Sequence, residues 1–183
     1  MVRLQWAMTA STGVRRSSGD GKLPRRGHLR TRAGAHVTQN PCDTCTGGHV
    51  RLNAHDISIH AECTVQSAAY GPRPPATTRV AAAPVSITGD PINPDAQTGI
   101  IADTHDGDGA AGSVRLNITG QLTIAGGAQV SSNTFDAGRG GDVSVNAHDI
   151  LIHAEGTIQS AQSGPGAGGR GPVEAATVCS NGA

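Results

Sequence analysis

The apolar residues of this chain fall in short alternating runs. Val114, Leu116 and Ile118 are separated by polar residues, as are Leu122 and Ile124, Val143 and Val145, Ile57 and Ile59, and Ile150 and Ile152, with Leu151 inside the last pair. A period of two puts each set on one face of a β-strand. The runs are four to six residues long and are bounded by Gly, Asp or Asn, the residues that punctuate strands. The connections lack the Asn-Gly type of two-residue turn, so sequence neighbours are not expected to close as hairpins.

The runs recur at fixed distances. Gly48–Ala68 and Gly141–Ala161 are identical at 15 of 21 positions, 93 residues apart. Inside the second half a shorter period appears. Gly112-Ser-Val-Arg-Leu-Asn117 matches Gly141-Asp-Val-Ser-Val-Asn146 at a shift of 29, and Gly99–Asp103 matches Ala128–Ser132 at the same shift. Leu122-Thr-Ile124 maps onto Ile150-Leu-Ile152 at 28, one residue being lost at a corner. Self-similarity at such a period marks stacked repeat architectures. Strands this short can pair with the equivalent strand one unit later, which predicts a parallel β-helix of about four coils. Asn117 and Asn146 should then stack as an amide ladder, with Asn53 in the same place in the first unit.

Five segments follow from the pattern: a disordered basic head (1–46), a first β-helix unit (47–68), a Pro-rich insert (69–83), the main coils (84–163) and a disordered Gly/Pro-rich tail (164–183). The insert is expected to supply what separates 93 from three 28–29-residue units.

Composition agrees with a narrow aliphatic core. Among 183 residues there are one Phe, one Trp and one Tyr, against 26 Gly, and charged residues make up 15%. Net charge is zero but uneven: residues 1–40 hold eight of the fourteen basic residues and one acid. The head has no structured nucleic-acid motif, and a solvated tail is the expectation, with no specific nucleic acid as partner. No run of about 18 apolar residues offers a membrane span, and the first residues lack the apolar core of a secretory signal.

The elements Thr98–Thr104, Gly107–Asn117 and Gly127–Ala147, with Gly-Ala-Gln-Val-Ser-Ser and Gly-Gly-Asp-Val-Ser-Val-Asn-Ala in order, resemble the repeats of filamentous-haemagglutinin-like exoproteins. The resemblance covers about 84–163, with a second piece at 47–68. It implies a right-handed β-helix shaft, an extracellular or cell-surface location, export by two-partner secretion through an outer-membrane transporter, and no enzymatic activity. It also implies host or neighbouring-cell surface glycans or proteins as partners. Asn93-Pro94-Asp95 only partly matches the Asn-Pro-Asn-Gly element of the family's secretion domain, so the chain is expected to be a fragment or degraded copy of such a protein, with 1–46, about 69–83 and about 164–183 read from a shifted frame.

Candidate chemistry is sparse. Cys42 and Cys45 with His49 lack the fourth ligand of a closed zinc site. His55 and His60, and their counterparts His148 and His153, lie five apart, so a regular strand turns each pair to opposite faces. Asp103, Asp106, Asp108 and Asp136 collect in long turns, where calcium binding at Asp106 and Asp108 competes with ordinary turn chemistry. The same acids would serve a polysaccharide-cleaving β-helix, but only Phe135 and Tyr70 offer aromatic faces, and Phe135 is expected at a coil corner. No catalytic, cofactor-binding or metal-ligating residue is assigned. The expected function is structural and adhesive, with contact loops at Thr104–Gly109 and Asn133–Gly140. The alternatives are a carbohydrate-active β-helix enzyme and a non-functional gene fragment.

Overall fold

The computed structural model describes residues 21–22, 28–31, 36–39, 49–67, 69–70, 77–93, 95–105, 112–135, 138–163, 165 and 171–181. These residues form strands and connections, with no helix among them. In chain order the strands group into successive levels. The first holds β1 (Gly21–Lys22), β2 (His28–Thr31) and β3 (His36–Gln39); the second β4 (Val50–Asn53), β5 (Asp56–His60), β6 (Thr64–Ser67) and β7 (Ala69–Tyr70). The third holds β8 (Thr77–Ala82), β9 (Val85–Thr88), β10 (Gly99–Ile101) and β11 (Thr104–His105). Then come β12 (Ser113–Ala125) with β13 (Gln129–Thr134), β14 (Val143–His153) with β15 (Thr157–Gln162), and finally β16 (Val173–Asn181).

Every pairing is parallel and joins one level to the next. Ile57 pairs with Val85, Leu122 with Ile150 and Val130 with Ile158, each an offset of 28. Two sheets result, of nine and seven strands. The larger turns back on itself, because β12 pairs with β8 through its first half and with β9 through its second. A register shift between Ile118 and Gln121 takes up one residue, so Val114 pairs with Val143 at 29 while Leu122 pairs with Ile150 at 28. That is the residue the sequence repeats lose at a corner.

The alternating aliphatics face one shared interior. Val114, Leu116, Ile118, Leu122, Ile124, Val143, Val145, Ile57, Ile59 and Ile150 are all buried. They belong to a single cluster that also takes in Val65, Ile87, Ile100 and Val130. Aliphatic side chains stacked at one strand spacing, about 4.8 Å, fill a thin core without aromatic volume. Each fully buried Ile or Leu contributes roughly 1.5–3 kcal/mol.

Several boundaries differ from the sequence reading. Strands β1, β2 and β3 lie within 1–46, where a disordered head is expected; the rest of that segment is outside the described residues. Leu29 pairs with Ile57 and Val37 with Val65, both at 28. Each of these strands has four residues or fewer, too short for alternation to register. Strands β7 and β8 lie in 69–83, where an insert is expected. Strand β8 is a full member of the stack, pairing with both β4 and β12. It escapes notice because one of its inward positions is Thr78, wholly buried in the row of Val50 and Val114. The insertion sits elsewhere. Val65 pairs with Ile100, an offset of 35, so seven residues beyond the period are placed between β9 and β10. The 93-residue separation of the twin repeats is three levels of 28, 36 and 29 residues, read along Val50, Thr78, Val114 and Val143. In the segment 164–183, β16 pairs with β14, Val145 with Val173 and Ile150 with Val178. Lastly, Gly99 pairs with Gln129, not Ala128. Ile100, Ile101 and Ala102 are all fully buried there, so no alternation fixed that register in the sequence.

Candidate functional site

Corners and ties explain most of the repeated polar residues. The Ala-Glu pair after each His ends a strand in the left-handed region: Ala61 and Glu62 have φ of 39° and 60°, and Ala154 and Glu155 of 47° and 63°. Between those levels the same bend is made by Gly126 and Gly127, at 62° and 74°, which adopt it without a Cβ penalty. The serines act as ties. Ser132 Oγ donates to the Gly112 carbonyl at 2.6 Å, and Ser160 Oγ to the Gly141 carbonyl at 2.5 Å. Each joins a strand of the smaller sheet to the start of a strand in the larger one. Gly141 must remain Gly, since a Cβ there would run into the Gly112 carbonyl and Ser132 Oγ.

The expected amide row is present in register over two levels only, and one side-chain amide bond is made in another row. Asn117 is in register with Asn146, both exposed, while Asn53 lies two levels from Asn117 with Ala81 between. The amide–amide bond runs from Gln159 Nε2 to Gln129 Oε1, at 3.3 Å.

The two expected contact loops converge. Thr104 pairs with Thr134, and the Phe135 N–H donates to the Thr104 carbonyl at 3.3 Å. Thr134 Oγ1 donates to the Arg139 carbonyl at 3.1 Å. Arg139 is exposed and Phe135 is 46% exposed, so the ring does not fill a corner as expected. Residues 106–111 and 136–137, with Asp106, Asp108 and Asp136, lie outside the described residues. Asp103 is buried, and its Oδ1 accepts the Asn133 N–H at 3.3 Å. That carboxylate ties two neighbouring levels together.

Cys42 and Cys45 also lie outside the described residues, and His49 Nδ1 accepts the Thr77 N–H at 3.1 Å. His60 and His153 share one row, three levels apart with Thr88 and Ala125 between, which is about 14 Å at one strand spacing per level. Among the described residues no three His, Cys, Asp or Glu side chains gather as for a metal ion. No helix among them is long and apolar enough to cross a membrane.

The seven-residue insertion makes a feature the sequence reading missed. The Glu62 N–H donates to Thr98 Oγ1 at 2.9 Å, and Asn93 Nδ2 donates to Glu62 Oε1 at 3.0 Å. The Ile92 N–H donates to Asp90 Oδ1 at 2.8 Å, and the Ile92 side chain stands 91% exposed at the tip. The loop is thus pinned to a corner of the second level and presents one aliphatic side chain to solvent. An isolated Ile flanked by Asp90, Pro91 and Asn93 carries no periodic signal from which this role could be read.

No protein-family model, no curated protein and no solved structure matches the chain.

Proposed function

We propose that the chain is a segment of a right-handed parallel β-helix, serving as a structural and adhesive shaft of a bacterial surface exoprotein of the filamentous-haemagglutinin type. The observation that carries this reading is the register: successive levels pair in parallel at an offset of 28, with aliphatics in line. Parallel strands joined by a crossover in one sheet are right-handed in nearly all proteins, which is the ground for the handedness. A stack that spends its interior on Val, Ile and Leu and its corners on hydrogen-bonded ties is built for length and rigidity. Contact falls to the segments Thr104–Gly109 and Asn133–Gly140, where Phe135 and Arg139 are exposed. Surface glycans or proteins of a host or neighbouring cell are the partners, and the location is extracellular.

The test is binding without turnover. Beads coated with the chain should adhere to cells bearing surface glycans, and Phe135→Ala with Arg139→Ala should reduce adherence while the β-sheet circular dichroism is kept. Sustained cleavage of a polysaccharide by the purified chain would defeat the shaft reading in favour of a carbohydrate-active enzyme.

A further inference from the structure

The outward face of the larger sheet carries a row of cations that no acid interrupts. Lys22 is in register with Arg51, Arg51 with Arg79, and Arg79 with Arg115. Four consecutive levels therefore place a basic residue at one position, and the next level places Ser144 there. The residues on either side of each arginine point inward: Val50 and Leu52, Thr78 and Val80, Val114 and Leu116 are all buried. Arg79 and Arg115 are exposed and Arg51 is half-buried. Arg51 Nε is shielded from solvent and has no hydrogen-bond partner.

This arrangement costs stability. Like charges directly opposite one another on neighbouring strands repel, and here they recur about 4.8 Å apart. A fold needing only solubility would mix the signs or place neutral groups there, as the adjoining outward row does with the neutral Ser113 and the acidic Asp142. The flanking outward positions beside the row carry no base stronger than an imidazole: His49, Thr77 and Ser113 on one side, Asn53, Ala81 and Asn117 on the other. Asp142, exposed, bounds the strip at its far end.

We infer that this strip binds an acidic polysaccharide laid along the stacking direction, its carboxylates or sulfates meeting the guanidinium groups of Arg51, Arg79 and Arg115. Arginine pairs with either group through two parallel hydrogen bonds, and the neutral amides and hydroxyls beside the row suit sugar hydroxyls. A single-stranded nucleic acid would ask for aromatic stacking platforms, and no Phe, Tyr or Trp occupies the row or its flanks. The inference rests on the registers of the larger sheet and not on the loops of the shaft reading, so each stands or falls alone.

The test is a titration of the full chain at low salt with a polygalacturonate oligomer, a sulfated dextran and a single-stranded DNA of equal charge. The chain should bind one or both glycans more tightly than the DNA, and the tighter of the two names the anionic group. Arg79→Ser with Arg115→Ser should weaken glycan binding about tenfold or more, since each removes charge-assisted hydrogen bonds, with the β-sheet circular dichroism unchanged. It should also flatten the salt dependence, because fewer counterions are released. Arg79→Lys with Arg115→Lys keeps the charge and should recover only part of the loss. Tighter binding to the DNA, no glycan binding, or equal affinity in the Ser variant overturns the inference.

Discussion

The twin repeats 48–68 and 141–161 carry almost the same residues and meet different surroundings. In the first, Ile59 and Val65 are fully buried and Thr64 is nearly so. In the second, the matching Ile152 and Ile158 are only partly buried, and Thr157 is exposed. For Ile158 and Thr157 the cause is position in the stack: β6 has partners on both edges, β3 and β10, whereas β15 has one among the described residues, β13. Ile152 is paired on both edges, but its partner on the outer one is the polar Ser180, where Ile59 lies between Thr31 and Ile87. Burial here belongs to the level and its two neighbours, not to the repeat, as expected where each unit contacts only the next.

The largest separation between the twins should come from their cores. Ile59→Ala removes atoms from a closed interior and should cost about 2–5 kcal/mol; Ile152→Ala should cost clearly less. Denaturant unfolding of both variants checks this, and equal losses would mean that the two levels are equally enclosed. A second contrast sets two glycines apart. Gly141→Ala drives a methyl group into the Gly112 carbonyl and Ser132 Oγ, whereas at Gly171 the nearest atom is the Val143 carbonyl oxygen at 3.9 Å. The first should destabilise by roughly 1–3 kcal/mol, the ordinary cost of overpacking, and the second should be near neutral.

A smaller effect is expected from the serine ties. Ser132→Ala leaves the buried Gly112 carbonyl without its donor and should cost about 1–3 kcal/mol. Ser160→Ala acts on a half-buried group and should lie at the low end of that range. The smallest effect, and the only one of opposite sign, is at the corners. A non-glycine residue in the left-handed region costs roughly 1–2 kcal/mol, so Glu155→Gly should stabilise by a few tenths to about 1 kcal/mol after the entropy of the added Gly. Glu62→Gly should gain less, because it also breaks the bond from Asn93 Nδ2. Thermal melts of the pair would show the order, and a larger gain at Glu62 would contradict it.

What could be read in the sequence depended on how many alternating positions a strand offers. Strands β12 and β14 each present at least three inward aliphatics, and their pairing at 28 and 29, including the lost corner residue, follows from the sequence. Strand β8 offers Thr78, Val80 and Ala82, one of them polar, and stayed hidden. Strands β2 and β3 offer one aliphatic each, Leu29 and Val37, below any threshold for periodicity. Proline misled in the other direction: Pro72, Pro74 and Pro75 marked 69–83 as an insert, whereas the added residues lie at 89–98, where Thr98 is buried. The arginine row was legible in principle. Arg51, Arg79 and Arg115 fall on one line only once β8 is known to be a strand, because the step from Arg51 to Arg115 otherwise matches no multiple of the period.

Backbone contact between residues one period apart is the claim on which the rest depends, and isotope-resolved NMR tests it most directly. Through-space contacts are predicted between the backbones of Asn117 and Asn146, Leu122 and Ile150, and Ile57 and Val85. Contacts in an antiparallel pattern between the two halves of 113–125, or the short-range pattern of a helix across 143–153, would contradict the account.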